Sequence, residues 1–152
     1  MTAVLAQLQG WQRQVALPAA VLRALADEAS PDATAAAALL PTFDAALAAH
    51  RRFQQQSLVP EMIEAMAGSD AVCIRELAEA LAGQLQALQR QWRAVRGALA
   101  AGRPVAAADW RVLADGCDAL HAREQRELLP MAARLLDDAA LGRIAQAVAA
   151  KP

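Results

Sequence analysis

Apolar residues recur at steps of three and four along most of this chain, the spacing that places side chains on one face of a helix. The most regular run lies in the middle of the chain and comprises Ile74, Leu77, Leu81, Leu85, Leu88, Trp92, Val95 and Leu99. Runs of β-branched and aromatic residues with alternating polarity, which would indicate strands, are absent from the sequence. The pattern therefore predicts an all-α protein.

Prolines, glycines and capping residues divide the pattern into four long helices and a short tail helix. Pro18 should kink the first helix or split it in two at Leu17–Pro18, and Pro130 should break the fourth. The predicted long helices cover residues 2–27, 31–57, about 70–101 and about 105–129, and the tail helix contains Leu141, Ile144 and Val148. Short connections between them favour an up-down-up-down four-helix bundle that forms a single domain over residues 1–152.

Polar residues interrupt the apolar faces of three of these helices. Glu124 lies on the face formed by Trp110, Cys117 and Leu128, and burying an unpaired charge there would be costly. The other polar residues sit near the middle of their helices, at a depth where they could meet Glu124: Gln12, His50 and Gln54. Two interpretations remain open, a hydrogen-bonded cluster in which His50 pairs with Glu124 and the glutamines bridge, or a metal site with few protein ligands.

Composition narrows the class of protein. The chain has 152 residues, 57% of them hydrophobic, with a net charge of −1 from interleaved acidic and basic residues. This balance gives little support for nucleic-acid binding, and we also expect no membrane span and no secretory signal. Cys73 and Cys117 are most simply small core residues of a cytoplasmic protein.

Two segments share one pattern, His50–Pro60 (HRRFQQQSLVP) and Leu120–Pro130 (LHAREQRELLP). Both are similar to H-x-x-x-E-E-x-x-L-F-P, and on this ground the chain resembles the hemerythrin-like (HHE cation-binding) domains, from about residue 12 to residue 149. The resemblance implies a four-helix bundle that, in the family, holds two irons bridged by oxygen and carboxylates. Family members bind or sense oxygen or nitric oxide, store iron, or help to repair damaged iron centres.

The resemblance carries only two of the family's metal ligands over to this sequence, His50 and Glu124. The other four ligand positions that can be placed hold different residues: Gln12, Gln54, Leu85 and Leu120. His121 lies one residue from a ligand position and points about 100° away on a regular helix. It would reach the site only if the helix rotated or carried a bulge.

These substitutions favour a degenerate hemerythrin-like bundle that binds or regulates without a cofactor and without catalysis. The alternative is a reduced metal site, with iron held by His50 and Glu124, that binds or senses oxygen or nitric oxide. A third interpretation is an enzyme that uses these two residues as acid and base. Nothing in the sequence resembles the nucleophile constellation or substrate-binding loop that would accompany them. A homodimer is a further expectation, with Trp11 either an exposed anchor or packed against the tail helix.

Overall fold

The computed structural model describes residues 2–28, 33–66 and 71–150, and every regular element in these residues is helical. The all-α prediction is confirmed, whereas the start predicted for the third long helix, at about residue 70, lies outside the described residues. No described helix is both long and apolar enough to cross a membrane. The α-helices are α1 (Thr2–Gln14), α2 (Ala19–Asp27), α3 (Ala33–Arg51), α4 (Val59–Ala65), α5 (Ala71–Ala100), α6 (Ala107–Arg123), α7 (Leu129–Leu135) and α8 (Asp138–Ala149), and the π-helical segments are π1 (Arg52–Leu58) and π2 (Glu124–Leu128).

The helices pack around one cluster of buried apolar side chains that extends from Leu8 to Ile144. Within it, α5 contacts α3, α4 and α6, while α1 packs on α7, α2 on α6 and α8 on π1. The predicted face of α5 is buried as far as Val95, and each large side chain placed there contributes roughly 1.5–3 kcal/mol. Trp11 also lies in this core with 8% exposure, so the expectation of an exposed anchor there is wrong.

Pro18 separates α1 from α2, as the sequence predicts. A proline has no backbone N–H and clashes with the preceding turn, and α1 accordingly ends at Gln14. In an unbroken helix the carbonyl of Val15 would accept the amide of Ala19. Here that amide donates to the Leu17 carbonyl at 2.9 Å, so the Val15 carbonyl is available to a side chain.

The break expected at Pro130 is wrong, because helical structure continues from residue 107 to residue 135. Pro60 likewise lies inside a continuous helical stretch. In both places the residue before the proline donates its amide to the carbonyl five residues back, Val59 to Gln54 and Leu129 to Glu124. The wider π turn accommodates one extra residue, and the chain passes the proline without ending the helix.

Candidate functional site

Four polar side chains meet inside the apolar core, each at most 2% exposed: Gln12, His50, Gln54 and Glu124. We refer to them as the polar cluster. They come from α1, the end of α3, π1 and the first residue of π2. The structure therefore brings together the four polar residues that the helical pattern placed on buried faces.

The carboxylate of Glu124 accepts hydrogen bonds from three side chains. Its Oε1 accepts from Gln12 Nε2 at 3.1 Å, and its Oε2 accepts from Gln54 Nε2 at 2.8 Å and from His50 Nε2 at 2.9 Å. Because carboxylate oxygens can only accept, both glutamines must direct their amide nitrogens toward Glu124. This charge is thus compensated within the core by three donors.

Both ring nitrogens of His50 face oxygen atoms. Nδ1 lies 2.9 Å from the carbonyl oxygen of Val15, which can only accept, so Nδ1 carries a hydrogen. Nε2 lies 2.9 Å from Glu124 Oε2, and two lone pairs would repel at that distance unless a proton lies between them. The His50–Glu124 pair therefore holds a proton. The sequence pattern did not identify the Val15 carbonyl as a partner, although Pro18 is what leaves it available.

The environment of the pair favours the charged form of each partner. Burial alone would lower the pKa of His50, but the hydrogen bond and charge of Glu124, with the bond to the Val15 carbonyl, outweigh it and raise that pKa. Burial alone would raise the pKa of Glu124, but His50 and then the two glutamine amides outweigh it and lower that pKa. Both shifts favour an imidazolium next to a carboxylate over a neutral imidazole next to a carboxyl group.

The amide oxygens of Gln12 and Gln54 have no hydrogen-bond partner among the described residues, although both are fully buried. The Gln12 amide nitrogen, in contrast, makes a second bond to the backbone carbonyl of His121 at 3.2 Å. Unpaired buried acceptors are uncommon in folded proteins. These two oxygens are unmet hydrogen-bond acceptors within the described part of the cluster.

The remaining predicted positions add no metal-binding side-chain atom to the polar cluster. Leu85 on α5 and Leu120 on α6 are buried and apolar. His121 is half-buried and lines a cavity of about 210 Å³ together with His50 and Cys117. The helix does carry a π bulge, the condition under which His121 would reach the site, but π2 begins after His121, which stays in regular α-helix. Burial raises the pKa of the Cys117 thiol to about 12.

The donor set of the cluster does not fit the two-iron centre that the resemblance implies. Two ligand positions are leucines, and at two others an amide N–H faces the carboxylate. One carboxylate also supplies too little negative charge to balance two iron ions. Among residues 2–28, 33–66 and 71–150, no group of three or more His, Cys, Asp or Glu side chains is placed to hold a metal ion.

Comparison with known proteins adds no assignment to this geometry. No protein-family model matches the chain, and no match is found among curated proteins or among solved structures. The resemblance to hemerythrin-like domains therefore stays a prediction from the sequence.

Proposed function

We propose that this protein is a degenerate hemerythrin-like bundle that acts as a non-catalytic binding or regulatory protein and carries no cofactor. Two sets of helix contacts support the up-down-up-down arrangement over residues 1–152. The helices α1 and α2 pack along α6 and α7, and α3 and α4 pack along α5. The repeated segments supply the ends of the second and fourth helical units, each with a π-helical segment before its proline.

One observation carries the proposal, namely that the only two retained ligand residues bind each other. The ring nitrogens of His50 and both oxygens of Glu124 all have protein partners at hydrogen-bond distance. A metal ion would have to displace the proton between them and compete with two amide groups. A proton thus takes the place that a metal ion occupies in the family.

The orphaned amide oxygens of Gln12 and Gln54 favour one alternative, a reduced hemerythrin-like site with a single iron that binds or senses oxygen or nitric oxide. Rotation of the two amides would turn these oxygens toward a cation held by His50 and Glu124. Amide oxygens are weak ligands for iron, and we therefore rank this function second.

Elemental analysis of protein purified from iron-supplemented cells, together with its visible absorption spectrum, tests both functions. We expect no iron and no charge-transfer band. One iron per chain, lost in both His50→Ala and Glu124→Ala but kept in the exposed variant Glu127→Ala, would replace the leading proposal with the alternative. Two irons per chain would contradict both.

We also propose a cytoplasmic location and a homodimeric state. Cys117 is buried as predicted, whereas Cys73 is exposed, so its prediction as a core residue is wrong. Both thiols are free, which supports a reducing compartment. Sedimentation analysis of the purified chain measures the oligomeric state, and a monomer at high concentration would contradict the dimer.

A further inference from the structure

A groove of about 360 Å³ lies between α3 and α5, away from the polar cluster. Its lining combines apolar side chains, including Leu47 and Trp92, with three arginines and one aspartate. The arginines are Arg51 from α3 and Arg93 and Arg96 from α5. The groove has the volume of a small-molecule site.

The aspartate in this groove is already used by its neighbours. Asp44 accepts from Trp92 Nε1 at 2.7 Å through one oxygen and from Arg96 Nε at 3.0 Å through the other. The Trp92 indole and the Arg96 guanidinium together hold the pKa of Asp44 below its usual value. Asp44 is therefore paired with Arg96, and neither of the other two arginines of the groove makes an ion pair with it among the described residues.

Arg51 and Arg93 are exposed and have no carboxylate partner among the described residues. The local sequence explains this excess of positive charge. Residues 45–60 and 80–108 contain no aspartate or glutamate, although the whole chain carries a net charge of −1. Two unpaired guanidinium groups thus line one groove, and each can bind a phosphate or carboxylate through two parallel hydrogen bonds.

The floor of the groove is held in place before any ligand arrives. The ring of Trp92 packs on Phe43 with centroids 4.3 Å apart, and its N–H is fixed by Asp44. A preorganised floor reduces the entropic cost of binding. We propose that this groove binds a small organic anion, whose phosphate or carboxylate group pairs with Arg51 and Arg93 while its apolar part lies along the groove. This site does not depend on whether the polar cluster holds a metal.

Titration with phenyl phosphate and benzoate, followed by the side-chain Nε–Hε resonances of the arginines in NMR spectra, tests the proposal. Arg51→Gln and Arg93→Gln assign the two resonances. We expect both to shift with either anion, and not with uncharged phenol. If phenyl phosphate binds more tightly, the natural ligand belongs to the phosphate class. If benzoate binds equally or more tightly, the ligand belongs to the carboxylate class.

The variants separate a site from a general charge effect. Arg51→Gln and Arg93→Gln should each weaken binding about tenfold, because each removes a charge-assisted pair. Arg75→Gln removes the same charge from an exposed position of α5 outside the groove and should leave binding nearly unchanged. Equal weakening by Arg75→Gln would overturn the proposal, as would unshifted Arg51 and Arg93 resonances. Binding of hexaglutamate or single-stranded DNA, but of neither small anion, would also overturn it.

Discussion

Glu124 keeps its charge in an apolar core because three donors replace the water that it lost on folding. The same carboxylate would be strongly destabilising if its partners were removed, since a buried charge without compensation is costly. The donors come from two stretches of the chain, Gln12 on α1 and the pair His50 and Gln54 one turn apart, and each bond joins helices that are distant in sequence. The polar cluster therefore also links these helices to one another.

Glu124→Gln should lower the free energy of unfolding by about 2 kcal/mol. The amide has the same shape but offers one accepting oxygen to three donors, so at least one buried donor is left unpaired. Urea denaturation followed by circular dichroism measures the loss. Glu127→Gln is the matched control, because Glu127 is exposed and pairs with Arg123 on the surface. Its loss of unfolding free energy should stay below about 0.5 kcal/mol. Equal losses in the two variants would contradict a compensated charge at Glu124.

Stability that depends on the His50–Glu124 pair should be greatest between pH 4.5 and 6.5, the ordinary pKa values of the two groups. The raised pKa of His50 contributes stability that is full below 6.5 and is lost as pH rises through the folded value. The lowered pKa of Glu124 contributes stability that is full above 4.5 and is lost as pH falls through the folded value.

Denaturation of wild type and His50→Gln across this range measures that contribution, because the variant lacks the imidazolium while other groups titrate alike. The difference in unfolding free energy should peak inside the window and shrink on both sides. A difference that is constant with pH would mean that the pair holds no shared proton.

At this scale the sequence predicted which polar side chains are buried, because a polar residue on an apolar helical face is visible in the spacing. It predicted the pairing of His50 with Glu124 as one of two possibilities. The carbonyl of Val15 could not be predicted, because its availability depends on the backbone geometry after Gln14. Backbone acceptors carry no residue-specific pattern.

At the scale of helices, glycines on α5 and α6 respond differently to an added methyl group. A Cβ at Gly116 would lie 2.5 Å from Leu88 Cδ2, a buried side chain of α5, whereas one at Gly83 meets nothing within 4 Å. Gly83→Ala should raise the free energy of unfolding by about 0.5–1 kcal/mol through helix propensity. Gly116→Ala should lower it by about 1 kcal/mol, because Leu88 must move within a filled core.

Thermal unfolding of the two variants compares the same substitution at both sites. The close approach of α5 and α6 is supported if the melting temperatures fall in the order Gly83→Ala, wild type, Gly116→Ala. A stabilising Gly116→Ala would show that the two helices are farther apart.

Helix positions could largely be predicted from the sequence, but whether each proline ends its helix could not. Pro18 ends a helix, as expected, whereas Pro60 and Pro130 lie within helices that continue past them. The difference is the π-helical segment that precedes Pro60 and Pro130, because its hydrogen bonding depends on several turns together. The general rule that a proline ends a helix does not contain that information.

For the whole molecule, folding should be independent of metal. The polar cluster is held by internal hydrogen bonds, so protein refolded in a chelator should melt within about 1 °C of protein supplied with ferrous iron. Differential scanning calorimetry provides the comparison. An increase of several degrees with iron would indicate an ion bound by the native state and would support the alternative function.

The clustering of the groove arginines is a property of the whole molecule. The linear sequence shows two stretches without acidic residues, but it does not show that they meet on one surface. Acidic and basic residues are interleaved overall, and no basic stripe is visible along the chain. The groove arginines come from two helices whose relevant residues are about 40 positions apart, and packing of α3 on α5 brings them to one surface. Such a patch can only be recognised once the pairing of helices is known.

The different reactivities of the two thiols can be used to measure how often the core opens. Cys73 is exposed, while Cys117 is buried and its pKa is raised to about 12, so it is a poor nucleophile as well as a shielded one. A maleimide should therefore modify Cys73 at once and Cys117 only during transient openings. In a Cys73→Ser background, the labelling rate of Cys117 would follow the open population of the helices around the polar cluster, with no probe attached beforehand.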